Sequence, residues 1–137
     1  MKTLIVEDDT FSRLMLTEIL SPLGECDYAM NGKEAIVAFD LALSKIPYDL
    51  ICMDIMMPEM DGQEALRMIR RLEAEHRIFG PKEVKVIMIT ALADPKNVIE
   101  AYNRGGATAY LVKPITKESL LAAIESSSLP GLGGQGQ

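Results

Sequence analysis

The stretch Tyr48 to Gly62, YDLICMDIMMPEMDG, decides how the rest of the chain is read. Tyr48 to Met53 is a nearly continuous apolar run that ends in Asp54. A run so short and so apolar fits a central strand of a parallel sheet, which is buried on both faces. Asp61, with Glu64 three residues later, forms a capping box. It opens a helix that carries Leu66, Ile69 and Leu72 on one face before Gly80 and Pro81 break it. The unit is therefore strand, carboxylate, loop, helix.

Outward from this unit the same alternation repeats. Upstream, Leu4, Ile5 and Val6 form a first strand, and Asp9 and Thr10 can cap a helix through Phe11, Leu14, Met15, Glu18 and Leu20. Pro22 and Gly24 end it. Cys26 to Ala29 is a second strand, and a capping box from Asn31 to Glu34 opens a helix to about Ser44, closed by Pro47. Downstream, Val84 to Ile89 is a fourth strand, Asp94 and Pro95 open a helix that Gly105 and Gly106 end, Ala109 to Val112 is a fifth strand, and Thr116 to Glu125 is a last helix. Short apolar strands alternating with helices predict a doubly wound α/β sandwich of five parallel strands, order 2-1-3-4-5, with five helices. Residues 1–125 form this domain, and the Ser, Gly and Pro content of 126–137 predicts a flexible tail or linker stub.

At 137 residues and 48% hydrophobic, the chain has the size and core of one domain. A net charge of −6 and a pI near 4.8 argue against direct nucleic-acid binding, which needs clustered Lys and Arg. Cys26 and Cys52 stand apart, so neither a disulfide framework nor a zinc site is expected. No run reaches the length of a membrane span, and a soluble, cytoplasmic protein is expected. His76 lies among charges late in a helix, as a solvated residue. The nine methionines read as adaptable filler rather than a cofactor box.

Ligands of a doubly wound sheet bind at the carboxyl ends of the strands, where strand order reverses. Four strands are followed there by polar residues: Glu7, Asp8 and Asp9 after the first, Asp54 after the third, Thr90 after the fourth, Lys113 after the fifth. Converging carboxylates repel one another unless a cation neutralises them. Oxygen ligands with no Cys or His beside them suit Mg²⁺ better than zinc or copper. Asp9 also reads as a simple helix cap.

The ordered motifs V-E-D-D, M-D-I-M-M-P-E-M-D-G, I-T-A and A-Y-L-V-K-P resemble those of response regulator receiver domains, and the resemblance covers roughly residues 3 to 125. It implies a flavodoxin-like receiver fold in which Asp54 accepts a phosphoryl group. Asp8 and Asp54 would bind Mg²⁺ directly, Glu7 through water, and Met56 through its backbone carbonyl. Lys113 would pair with the phosphoryl group, Thr90 would satisfy its remaining oxygens, and Pro114 would follow a cis peptide bond. Thr90 and Tyr110 would act as coupled switch residues. A sensor histidine kinase or phosphotransfer protein would be the donor, and a downstream target would dock on the face of the fourth helix, fifth strand and last helix. The domain would be no enzyme beyond its own phosphorylation and dephosphorylation. The stretch Glu73 to Glu83 is longer than usual for such domains, extending the third helix or offering a further contact.

Two other readings remain in play: a receiver-like docking module that is never phosphorylated, and a Mg²⁺-dependent phosphohydrolase. The hydrolase wants a second acid two residues after the nucleophile, where Met56 stands. A nucleotide-binding fold would need a Gly-rich loop after the first strand, which the sequence lacks. Met56 and Met57 flank Asp54 and are expected to limit water access to an acyl phosphate. Met56→Asn should then speed dephosphorylation, measured as loss of the phosphorylated mass; equal rates would remove the idea.

Overall fold

The computed structural model describes residues 1–57, 59–91 and 106–127. Strands β1 (Lys2–Val6), β2 (Glu25–Ala29), β3 (Leu50–Asp54), β4 (Lys85–Thr90) and β5 (Ala109–Val112) form one parallel sheet of order 2-1-3-4-5. Among the described residues the α-helices are α1 (Thr10–Leu20), α2 (Gly32–Leu43), α3 (Gly62–Glu75) and α4 (Lys117–Ser126). The fourth of the five expected helices, opened by Asp94 and Pro95 and ended by Gly105 and Gly106, lies outside the described residues.

Strand alternation divides the core in two. Leu4, Val6, Ile51, Met53, Val86 and Met88 face α2 and α3, meeting Phe39, Leu66 and Ile69. Ile5, Leu50, Cys52, Ile87 and Ile89 face α1 and α4, meeting Leu16, Leu20, Leu120 and Ile124. Every residue of β3 is buried, as the central strand of a doubly covered sheet must be. β2 and β5 are edge strands and only partly buried.

The caps were legible, with adjustments. Asp9 accepts from the Ser12 N–H at 2.8 Å, and Asn31 from the Glu34 N–H at 2.9 Å. The Glu34 carboxylate reaches back to the Met30 N–H, one residue before the cap, rather than to Asn31. Asp61 caps α3, and Thr116 with Ser119 forms a reciprocal box on α4. Strand β3 starts two residues later than the apolar run, because Tyr48 and Asp49 close the opposite end of the sheet. The Tyr48 hydroxyl donates to Asp27 at 2.7 Å, the Lys2 N–H to Asp49 at 2.8 Å, and the Lys2 ammonium sits 4.8 Å from the Tyr48 ring.

The long stretch after α3 does not lengthen the helix. His76 is the exposed C-cap, Arg77 takes a left-handed φ of 58°, and the Ile78 N–H donates to the Glu73 carbonyl at 2.8 Å. The Arg77 N–H donates to Ala74, completing a Schellman turn in which Arg stands where Gly is favoured. Beneath it, buried Glu73 accepts from the Val84 N–H at 2.6 Å and from Arg70 at 2.7 Å. Arg70 also donates to the carbonyls of Val84 and Gly106, at 2.9 and 2.8 Å. This clamp fixes α3 to the entries of β4 and β5. Burial pushes the Glu73 carboxyl up, against the pull of Arg70 and the Val84 N–H.

Arg77 is exposed and its side chain makes no hydrogen bond or ion pair among the described residues, so its left-handed backbone is uncompensated. Arg77→Gly should therefore raise unfolding stability by about 0.5–1 kcal/mol, read as a higher midpoint in urea at unchanged slope.

Candidate functional site

The strand register sets the carboxyl ends level. Val6 pairs with Met53, Asp54 with Ile89, and Thr90 with Val112. Residues one step past β1 and β5, Glu7 and Lys113, therefore meet the last residue of β3. Period-two alternation also gives Glu7, Asp54 and Lys113 the parity of Ile5, Cys52 and Leu111, on the α1 and α4 side of the sheet. Thr90 and Tyr110 have the opposite parity.

Glu7, Asp8 and Asp54 each offer a carboxylate oxygen, and these oxygens lie within 4.8 Å of one another. Glu7 is 1% exposed and Asp54 5%, while Asp8 is open to solvent. The Lys113 ammonium lies between the two buried acids, 3.1 Å from Glu7 Oε1 and 3.4 Å from Asp54 Oδ2. Asp54 Oδ1 accepts from the Met56 N–H at 3.1 Å, and Glu7 Oε2 from the Asp9 N–H at 3.1 Å. Both buried acids are thus held at each oxygen.

One lysine does not neutralise the set. Burial first, and then the charge of Asp54, push Glu7 up to about 7, despite the opposing pull of the Asp9 N–H and Lys113. For Lys113, burial alone would lower the pKa; the Glu7 and Asp54 carboxylates outweigh it and leave it above its usual value. A hard divalent cation is what this donor set fits: three carboxylates, no His or Cys among them, and negative charge left over.

Asp9 stands outside the cluster as the cap of α1, its carboxyl lowered chiefly by the Ser12 N–H. Thr90 is buried at the end of β4, and its carbonyl accepts from the Lys113 N–H at 2.7 Å. Tyr110 pairs with Met88 on the neighbouring strand and is half-buried against the α2 and α3 core. The Lys113–Pro114 peptide is cis. The Met56 side chain is 68% exposed, while its backbone borders Asp54. Gly62 abuts the site from below: a Cβ there would lie 2.5 Å from the Asp54 carbonyl oxygen, so only glycine lets α3 start this close.

Arg13 was not singled out from sequence. Its guanidinium donates to the Glu7 backbone carbonyl at 3.1 Å and touches the Met30 sulfur at 3.2 Å. Its place one helical turn after Asp9 is the only signal that could have found it.

The sequence profile of the response regulator receiver domain matches residues 3–125. The Bacillus subtilis chemotaxis protein CheY is 35% identical over 128 residues, covering 92% of this chain and 96% of that protein. Among solved structures, the CheX–CheY–BeF3–Mg²⁺ complex of Borrelia burgdorferi matches with a TM-score of 0.76 at 30% identity, over 91% of this chain and 87% of that one. The receiver domain of a Pseudomonas aeruginosa sensor histidine kinase, with a magnesium ion coordinated in its active-site cleft, matches with a TM-score of 0.74 at 26% identity, over 91% and 94%.

The raised pKa of Glu7 has a defined sign in stability. Between about pH 4.5 and 7 the folded state holds a proton that the unfolded state has lost, so raising the pH through this window removes stability. In the absence of divalent ions, the melting temperature of wild type should fall relative to Glu7→Gln from pH 5 to 8. Parallel curves for the two proteins would contradict the burial argument.

Proposed function

Because the chain belongs to the response regulator receiver domain family and is a receiver of two-component signalling, we propose that Asp54 accepts a phosphoryl group from a sensor histidine kinase or phosphotransfer protein. The observation that carries this reading is the buried Asp54 carboxylate, fixed by the Met56 N–H and facing Lys113, within an acidic cluster that one lysine leaves undercompensated. Receiver domains generally bind Mg²⁺ at an acidic site, and this chain has such a cluster. Asp8 and Asp54 would hold the ion directly, Glu7 through water, and Met56 through its carbonyl. When bound, the ion supplies charge neutralisation for the transferring phosphoryl group.

The protein's own groups do the rest by placement. Asp54 contributes one carboxylate oxygen as nucleophile; the donor's bond to phosphorus breaks as the acyl phosphate forms. The Met56 N–H holds the other oxygen, which sets the direction of attack. Lys113, already shared between two acids, shifts toward the new phosphoryl oxygens, and its charge-assisted pairing is among the strongest available. Thr90 offers its hydroxyl from the adjacent strand end, and Tyr110 beside it carries the change to the face of β5 and α4, where a downstream target docks. The domain acts catalytically on itself alone. Its location is proposed to be the cytoplasm, where such donors present their phosphoryl groups; no helix among the described residues is long and apolar enough to cross a membrane. Residues 1–125 are proposed as the receiver proper and 126–137 as a tail, although α4 itself runs to Ser126.

Incubation with acetyl phosphate, followed by intact mass measurement, tests the chemistry. Wild type should gain one phosphoryl group only with Mg²⁺, and the gain should be labile to base; Asp54→Ala should gain none. A folded wild-type protein whose mass stays unchanged under every condition would overturn this reading in favour of the docking module that is never phosphorylated.

A further inference from the structure

The three acids of the cluster are not held alike. Glu7 and Asp54 are each anchored at both carboxylate oxygens by the Asp9 N–H, the Met56 N–H and Lys113. Asp8 is exposed, and among the described residues its side chain accepts no hydrogen bond. Its place in the cluster therefore depends on the backbone that bears it. That backbone is restrained at three points, one of them the Asp9 N–H already held by Glu7 Oε2. The Glu7 N–H donates to the Ala29 carbonyl at 3.1 Å, and the Glu7 carbonyl, part of the same peptide group as the Asp8 nitrogen, accepts from Arg13 Nη1 at 3.1 Å. The same nitrogen lies 3.2 Å from the Met30 sulfur, at the end of β2.

We propose that Arg13 is a positioning residue for the cation site: by gripping the Glu7 carbonyl from α1, it fixes the peptide from which Asp8 projects. The inference rests on reading the acidic cluster as a divalent-cation site. It assigns Arg13 a role opposite in sign to that of its charge. A guanidinium near a cation site disfavours the cation, so loss of the charge alone would tighten binding. Loss of the restraint frees Asp8 and weakens binding, in the way that partners orienting a metal ligand commonly contribute about tenfold or more in affinity.

Titration with Mn²⁺, read as free ion by electron paramagnetic resonance, separates the two. Wild type should bind one Mn²⁺, and Arg13→Gln should bind it about tenfold more weakly. Arg13→Lys, which keeps the charge but has a single ammonium in place of the planar fork, should fall between them. Thermal melting of each variant accompanies the titration. Should Arg13→Gln fail to fold, Arg13→Lys carries the test, with weaker binding in support and equal or tighter binding against. Equal or tighter binding by Arg13→Gln overturns the inference, and so does a lowered melting temperature with unchanged affinity, the mark of a merely structural residue. Wild type that binds no Mn²⁺ overturns the cation reading itself and this inference with it.

Discussion

Charge repulsion at the carboxyl ends of β1 and β3 is the constraint around which the rest of the molecule is arranged. Two carboxylates about 5 Å apart repel by roughly 3 kcal/mol at an effective dielectric of about 20. That is comparable to what burial of one large aliphatic side chain contributes, about 1.5–3 kcal/mol. The cluster persists because the strands that bear it cannot separate: Leu4, Ile5 and Val6 pair with Ile51, Cys52 and Met53, and all are fully buried. Lys113 relieves part of the strain, and the raised pKa of Glu7 records what is left.

Much of this architecture was legible because its signals are local. A buried parallel strand announces itself as an apolar run, and a helix start as Asp or Asn placed three residues before its backbone partner, as at Asp61 and Asn31. Glu7, Asp8, Asp54 and Lys113 were legible for the same reason, since each immediately follows or ends a strand whose direction the alternation already implied. Arg13 and Arg70 were not, because each acts on a backbone carbonyl that no sequence pattern marks: Glu7 in one case, Gly106 in the other. The end of α3 was misjudged for a related reason. Gly80 and Pro81 are conspicuous breakers, but the chain had already turned at Arg77, a residue that gives no warning of a left-handed backbone.

The pleat of the sheet sorts the remaining polar residues. Glu7, Asp54 and Lys113 share one parity, and Thr90 and Tyr110 the other. Charge is therefore gathered on the side of α1 and α4, while the hydroxyl-bearing residues border the core of α2 and α3. At the strand ends Thr90 adjoins the charged set through its carbonyl, which accepts from the Lys113 N–H at 2.7 Å.

The knot of Lys2, Asp27, Tyr48 and Asp49 closes the opposite end of the sheet, with each acid matched to a donor. The molecule is thus polar in an energetic sense: one pole is settled, the other under tension. A charge added at the tense pole therefore acts on strands that are tied along their length and again at their far ends.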